Sequence, residues 1–297
     1  MTNILITGSS GFIGTQLISN LLSTNSNVNI YALTRNKNYN NKKNLTYIYC
    51  DLTQTNFIEV LPQNIDIVLH LAQSNNYRLF PDKVFDIFDI NIVSTQRLLE
   101  WSRVSLVKKF IFTSSGNVYS RKDDLLSETD VCLPNDYYGK SKLIAELLIE
   151  SYQQYFSTCI LRIFGVYGPG QSGMTIPNII NKVMNNESIT LAKGKGLFFT
   201  PLYISDCIRM IQIIINDSLI NKFQIYNLAG SEIISLDQLV FIIATNTSIN
   251  PKTENTNEEP AKLMGSSKKF VNNFKFNFST DFESGMYKAL SHLNQTN

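Results

Sequence analysis

Seven residues near the start of the chain constrain its architecture more than any others. The apolar run Ile4-Leu5-Ile6-Thr7 passes without interruption into Gly8-Ser9-Ser10-Gly11-Phe12-Ile13-Gly14, after which apolar residues recur at helical spacing over Thr15–Leu22. In a strand–turn–helix unit, glycines at this G-x-x-G-x-x-G spacing have separate tasks. Gly8 permits the tight turn, Gly11 lets backbone amides approach a pyrophosphate, and Gly14 lets helix and strand pack closely. The start of the following helix adds unpaired N–H groups and the positive end of its dipole. Gly8, Gly11, Phe12, Ile13 and Gly14 are therefore candidate ligands of a dinucleotide.

The same alternation continues along the chain. Short apolar runs at Asn3–Thr7, Val28–Leu33, Tyr47–Cys50, Asp66–Ala72, Lys109–Ser114 and Ser157–Ile163 are separated by helical patterns, notably Thr15–Leu22, Val84–Arg103 and Tyr138–Phe156. Apolar strands separated by helices predict a parallel sheet covered on both faces. Right-handed crossovers then bring the strand C-termini to one edge, where ligands of such sheets bind. The expected fold class is α/β: a Rossmann-type doubly wound parallel sheet with a smaller, mostly C-terminal α/β substrate domain. Regularity loosens after Tyr167-Gly168-Pro169-Gly170, which divides the chain into residues 1–164 and 165–297. Part of the second portion, around 203–228, is expected to return to the first domain.

Other classes are set aside on composition. Hydrophobic residues make up 43% and charged residues 17%, which supports a full core and argues against disorder. The net charge of +2, from 26 basic and 24 acidic side chains, leaves no stretch basic enough to clamp nucleic acid. No apolar run approaches the roughly 18 residues that span a bilayer, and Met1–Gly8 lacks the basic region of a signal peptide. Cys50, Cys132, Cys159 and Cys207 are too dispersed for a metal site or a secreted disulfide framework. The expectation is a cytoplasmic protein with no metal, no membrane and no nucleic-acid partner.

Which dinucleotide is bound turns on the second strand. It ends in Thr34-Arg35, about twenty residues beyond Gly14, where an acidic residue would hold the ribose hydroxyls of NAD. Arg35 stands there instead, placed to meet a 2′-phosphate, so the cofactor is NAD(P)(H) with NADP(H) favoured. Asp51-Leu52 ends the third strand, where a carboxylate could accept from the adenine amino group. Leu71-Ala72 ends the fourth, where small apolar residues let the cofactor lie close. His70 beside them is read as a core histidine.

Tyr138-Gly139-Lys140-Ser141-Lys142 places Tyr138 and Lys142 four residues apart, on one helix face. An ammonium beside a phenol stabilises the phenolate, so the phenol can exchange a proton with a substrate oxygen while a nicotinamide exchanges the hydride. The fifth strand delivers Ser114-Ser115 to the same edge, with a hydroxyl for the reacting oxygen.

These motifs together resemble the NAD-dependent epimerase/dehydratase family of extended short-chain dehydrogenase/reductases. The resemblance is carried by Thr7–Gly14, Asp51-Leu52, His70-Leu71-Ala72, Asn91 with Leu98-Leu99, Ser114-Ser115, Val118-Tyr119, Tyr138–Lys142, Val166–Gln171, Tyr203–Asp206 and Tyr226-Asn227-Leu228. It implies Tyr138 as acid/base, Lys142 as its partner and ribose ligand, Ser115 as donor to the substrate oxygen, and Asn91 as a helix-borne support in the catalytic set. It further implies a nucleotide-activated sugar as substrate. Gly116-Asn117 replaces the Asp-Glu pair of the family's dehydratases, so dehydration is not expected. Gly165 stands where the family's epimerases usually carry a phosphate-contacting Asn, and the Arg after the second-domain glycine pair is missing. Lys193, Lys195 and Arg209 are candidates to replace that Arg. Gly165, Phe198 and Phe199 are carried forward as substrate contacts.

A 4-ketoreductase consuming NADPH is the favoured reading. A 4-epimerase with retained NAD, a non-sugar carbonyl reductase and a non-catalytic NADP sensor remain beside it. Val84–Arg103 and Tyr138–Phe156 carry more apolar residues than one buried stripe needs, among them Ile87, Ile90, Leu98, Trp101, Leu143, Leu147, Ile149 and Tyr152. A two-fold axis would bury the surplus as a four-helix bundle, giving a homodimer, and the resemblance implies the same arrangement.

Overall fold

Strand β1 (Thr2–Thr7) buries Ile4, Leu5 and Ile6 completely, as a strand must when both of its faces are covered. The computed structural model describes residues 1–24, 27–217 and 223–296. After β1 come α1 (Phe12–Thr24), β2 (Val28–Thr34), β3 (Leu45–Tyr49), β4 (Ile67–His70), α2 (Val84–Phe88), α3 (Ser94–Val104), β5 (Lys109–Ser115), α4 (Tyr137–Glu150) and β6 (Ser157–Ile163). They are followed by β7 (Val166–Tyr167), α5 (Thr175–Met184), β8 (Ser188–Ala192), β9 (Phe198–Phe199), β10 (Leu202–Tyr203), α6 (Ile204–Asn216) and β11 (Gln224–Leu228). The last elements are β12 (Ile234–Ser235), α7 (Leu236–Thr247), β13 (Lys252–Thr256), β14 (Lys262–Leu263), α8 (Lys268–Phe274) and α9 (Phe282–Thr296).

Seven strands form one sheet in the order β11-β6-β5-β4-β1-β2-β3. Pairing is parallel from β3 through β2, β1 and β4 to β5, with Ile4 opposite Ile30 on one side and Ile67 on the other. The order reverses between β1 and β4, which makes that gap the topological switch point of a doubly wound Rossmann-type sheet. The expected α/β class is the one observed. Leu5, Val68, Phe110, Phe112 and Ile160 on the strands pack with Leu98, Leu99, Ala145 and Ile149 on α3 and α4 in one core cluster.

The chain divides into two compact units. The first comprises Met1–Ser120, Val131–Arg162 and Ile211–Tyr226, and the second Arg121–Asp130, Ile163–Met210 and Asn227–Asn297. Within the second unit, β7 pairs with β10, β8 with β13, and β9 lies between β12 and β14.

Several elements differ from their expected extents, among them β3, which runs Leu45–Tyr49, and α1, which runs Phe12–Thr24; three further differences have a visible cause. The fourth strand stops at His70, because the Leu71 N–H donates to the Thr7 carbonyl and the Ala72 N–H to the Thr7 hydroxyl, which turns the chain across the end of β1. The helix expected over Tyr138–Phe156 ends at Glu150 and gives way to tight turns that bond Tyr152 to Ile149 and Tyr155 to Tyr152. The helix expected over Val84–Arg103 is interrupted by a π-helical turn, Asp89–Val93, between α2 and α3. Such a turn holds one residue more than its α-helical neighbours and is frequent at functional sites.

The apolar surplus on these helices is distributed differently from the expectation. Ile87, Ile90, Leu98 and Ile149 are buried within the chain, and Trp101, Leu143 and Tyr152 are half-buried. Of the eight residues, Leu147 alone is well exposed, at 57%, and it is joined by Phe85, Phe88 and Ile144. Among the described residues, no helix is long and apolar enough to cross a membrane.

Candidate active site

The glycine loop leads from β1 into α1. Gly8 has φ +66°, and a Cβ there would lie 2.7 Å from the Ala72 nitrogen. At Gly14 a Cβ would meet the Gly8 carbonyl at 2.4 Å. Only bare backbone closes the loop this tightly. Gly11 begins the helix by accepting from the Thr15 N–H at 3.0 Å, so the N–H groups of Phe12, Ile13 and Gly14 have no partner inside α1. Ser9 ties the loop sideways to β2, donating to the Leu33 carbonyl at 2.6 Å. This bare, donor-rich turn at a helix start fits a pyrophosphate, and Leu71 and Ala72 form its wall across the switch point.

The remaining candidate cofactor contacts lie at the ends of β2 and β3. Thr34 and Cys50 are joined by a 2.8 Å backbone bond, which brings Arg35 and Asp51 to the same margin of the sheet. Arg35 is exposed. Asp51 Oδ1 accepts from the Thr53 N–H and hydroxyl at 3.0 and 2.9 Å, and Leu52 packs on the core cluster.

Tyr138 is held from three sides. Its hydroxyl donates to Gln73 Oε1 at 2.8 Å, Ser115 hydrogen-bonds to it, and the Tyr77 ring lies 4.7 Å away, centre to centre. Burial pushes the phenol above its ordinary range, with the Ser115 bond opposing. Lys142 Nζ donates to the Thr113 carbonyl at 2.9 Å and stands 4.7 Å from the centre of the Phe112 ring. Burial pushes this ammonium down to about 7, with the Glu146 charge opposing. The lowered phenol expected from a neighbouring lysine is thus not the state of these side chains. Desolvation acts on both groups, and Lys142 is directed at β5.

Asn91, inside the π-helical turn, is one step removed from the reacting groups. Its Oδ1 accepts from the Ser74 N–H and its Nδ2 donates to the Ser141 hydroxyl, each at 2.9 Å. It therefore fixes both the loop that carries Gln73 and the helix that carries Tyr138. His70 is fully buried between the Thr7 and Thr95 hydroxyls, at 2.7 and 2.9 Å, and burial pushes its pKa down to about 3. Thr95 donates onward to the Asn91 carbonyl, so Thr95 accepts from Nε2–H, and burial keeps the ring neutral. It is the core histidine that was expected.

In the second unit, Gly165 and Phe199 adjoin: a Cβ on Gly165 would lie 3.7 Å from the Phe199 ring. Phe199 is 7% exposed and Phe198 is half-buried. Lys193, Lys195 and Arg209 are each engaged by a carboxylate, those of Glu259, Asp237 and Asp206 respectively.

Three residues of the site escaped the sequence reading: Gln73, Glu146 and Arg162. Glu146 is 4% exposed and bonded by Arg162 and Ser114. A signal existed for the pair. Arg162 interrupts the apolar run Cys159-Ile160-Leu161, and a charge inside a buried strand requires a partner.

Known proteins share this sequence pattern and fold. The sequence model of the NAD dependent epimerase/dehydratase family matches residues 4–229. The chain is 30% identical over 257 residues to the Bacillus subtilis protein named uncharacterized UDP-glucose epimerase YtcB, covering 81% of this chain and 80% of that protein. The structure of MoeE5 in complex with UDP-glucuronic acid and NAD superposes with TM-score 0.87 at 25% identity, over 99% of this chain and 100% of the other. UDP-glucuronic acid 4-epimerase from Bacillus cereus, in complex with UDP-glucuronic acid and NAD, has the same fold, with TM-score 0.89 at 24% identity over the whole of both chains.

Proposed function

Because the chain belongs to the NAD dependent epimerase/dehydratase family, we propose that it is an NAD(P)-dependent oxidoreductase acting at C4 of a nucleotide-activated sugar, as a 4-epimerase. The supporting observation is the meeting of Ser115 and Gln73 at the Tyr138 hydroxyl, in the same unit as the glycine loop. A dinucleotide bound there would supply reversible hydride transfer at the sugar carbon. Gly8, Gly11, Phe12, Ile13 and Gly14 would hold its pyrophosphate, and Leu71, Ala72, Asp51, Leu52 and Arg35 its flanks. Tyr138 takes the proton of the sugar hydroxyl on oxidation and returns it on reduction, while Ser115 donates to the same oxygen. Lys142, one turn further along α4, would supply a donor to the ribose. Gly165, Phe198 and Phe199 of the second unit contact the sugar nucleotide.

Dehydration is set aside on chemistry, since neither Gly116 nor Asn117 can carry a proton to a leaving hydroxyl. Arg35 favours a second reading, a 4-ketoreductase using NADPH. The assay that separates them starts from purified protein. Retained NAD(H) and interconversion of UDP-glucuronic acid or UDP-glucose with its C4 epimer, with no added coenzyme, support the epimerase. Stoichiometric NADPH consumption with a 4-keto sugar nucleotide supports the reductase, and inertness in both assays overturns the proposal. The exposed apolar side chains Phe85 and Phe88 on α2 and Ile144 and Leu147 on α4 support a homodimer through α2–α3 and α4.

A further inference from the structure

Tyr138, Lys142 and Glu146 follow one another at four-residue intervals on α4 and form a single row on the helix. Lys142 is 1% exposed, and the described residues give its three ammonium protons one acceptor, the Thr113 carbonyl. A cation withdrawn from water this far needs a compensating charge. Glu146, one turn further along and 4% exposed, can provide it, but its own position is set from outside the helix. Arg162 on β6 donates through Nε to both carboxylate oxygens, at 3.1 and 3.2 Å, and through Nη2 to Oε2 at 2.6 Å. Ser114, at the end of β5, donates to Oε1. The far side of the guanidinium is fixed as well, with Nη1 2.8 Å from the Tyr119 hydroxyl.

We propose that Glu146, clamped by Arg162 and Ser114, is a positioning residue that balances the buried charge of Lys142 one turn away on α4. The inference deepens the proposed function and rests on it for the role given to Lys142. Asp136 and Arg78 act at the Tyr138 end of this helix. His70, facing from β4, is neutral. Asp86 on α2 is taken by Ser74 and Asn76, and Glu100 on α3 by Arg103. Phe112 and Thr113 of β5 offer a ring face and a carbonyl. Glu146 is the carboxylate whose charge acts on Lys142, and Arg162 is the cation that competes for it.

The arrangement predicts opposite responses at the two ends of the clamp. In full-length protein carrying ¹⁵N-lysine, with the Lys142 signal assigned through Lys142→Met, the Nζ titration is followed without substrate or added coenzyme. Glu146→Gln keeps the acceptor and removes the charge, and should move the Lys142 midpoint to lower pH by about one unit, a tenfold loss of proton affinity. Arg162→Met frees the carboxylate from its stronger partner and should move the midpoint to higher pH. Loss of stability alone does not produce shifts of opposite sign. If Glu146→Gln fails to fold, the alkaline shift in Arg162→Met carries the test. An unmoved midpoint, or an acid shift in Arg162→Met, overturns the proposal. Failure of the assigned function would remove turnover of sugar nucleotides and leave these shifts intact. Failure of this inference would leave turnover intact and the midpoint still.

Discussion

The hydroxyl of Tyr138 donates a 2.8 Å hydrogen bond to Oε1 of Gln73, 65 positions earlier in the chain. An acceptor so placed pairs with the neutral phenol and works against the phenolate. Gln73→Glu puts a negative charge at the same point and should move the pH midpoint of kcat/KM for hydroxyl oxidation about one unit or more toward alkali. Tyr138→Phe should cut turnover by about 10²–10⁴ while leaving coenzyme affinity nearly unchanged. A Tyr138→Phe enzyme with wild-type turnover removes the phenol from the chemistry, and an unmoved profile in Gln73→Glu removes Gln73 from its surroundings.

Coenzyme choice is tested at Arg35. A guanidinium at the end of β2 gains a charge-assisted bond only from a coenzyme with a 2′-phosphate, a difference of about 1.5–3 kcal/mol. Arg35→Ala should therefore weaken NADP(H) far more than NAD(H) in calorimetric titrations. Equal losses on both would make Arg35 a surface residue with no part in the choice.

His70 ties acid stability to a single ring. The unfolded chain takes up a proton at the ordinary 6.5, whereas the folded ring resists until about 3. Between those values only the unfolded state is protonated, so stability falls as pH drops through that window, by at most about 1.4 kcal/mol per pH unit from this group. Urea unfolding at pH 7, 5.5 and 4.5 should show this slope in the wild type and a shallower one in His70→Gln. Parallel slopes would mean that other groups govern the acid transition.

The proposed dimer is tested on α4. With Leu147 and Ile144 exposed on α4, and Phe85 and Phe88 on α2, light scattering should give twice the chain mass of 33.7 kDa. Leu147→Lys should shift the distribution toward that single-chain mass. A wild-type mass of one chain at micromolar concentration rejects the homodimer.

What the sequence disclosed follows from the range of the interactions involved. Strands β1, β4 and β5 were legible because burial on both faces writes them as unbroken apolar runs, and the glycine loop because its spacing is a local steric requirement. Tyr138 and Lys142 were legible because a four-residue spacing on one helix is also local. Gln73 was not, since its partner lies 65 residues away and its own neighbourhood, Ser74-Asn75-Asn76, reads as an ordinary polar loop. Arg162 and Glu146 are 16 residues apart on different elements, so their pairing depends on how α4 packs against the sheet. The end of the fourth strand was placed two residues late because apolar character runs on through Leu71-Ala72 after the hydrogen bonds have turned to Thr7.

The π-helical turn at Asp89–Val93 sets an angular phase between α2 and α3. One residue more in a turn rotates everything before it by about 100° relative to a continuous α-helix. Asp86 holds Ser74 and Asn76 from the near side of that turn, while Thr95 receives His70 from the far side. Nine residues of straight helix, at about 100° each, would turn these two side chains to opposite faces. Deleting a single residue between 89 and 93 would leave the composition nearly untouched, yet it would swing Asp86 off the loop that presents Gln73 to the phenol. In this stretch of chain, residue count matters to the site alongside the identity of Asn91.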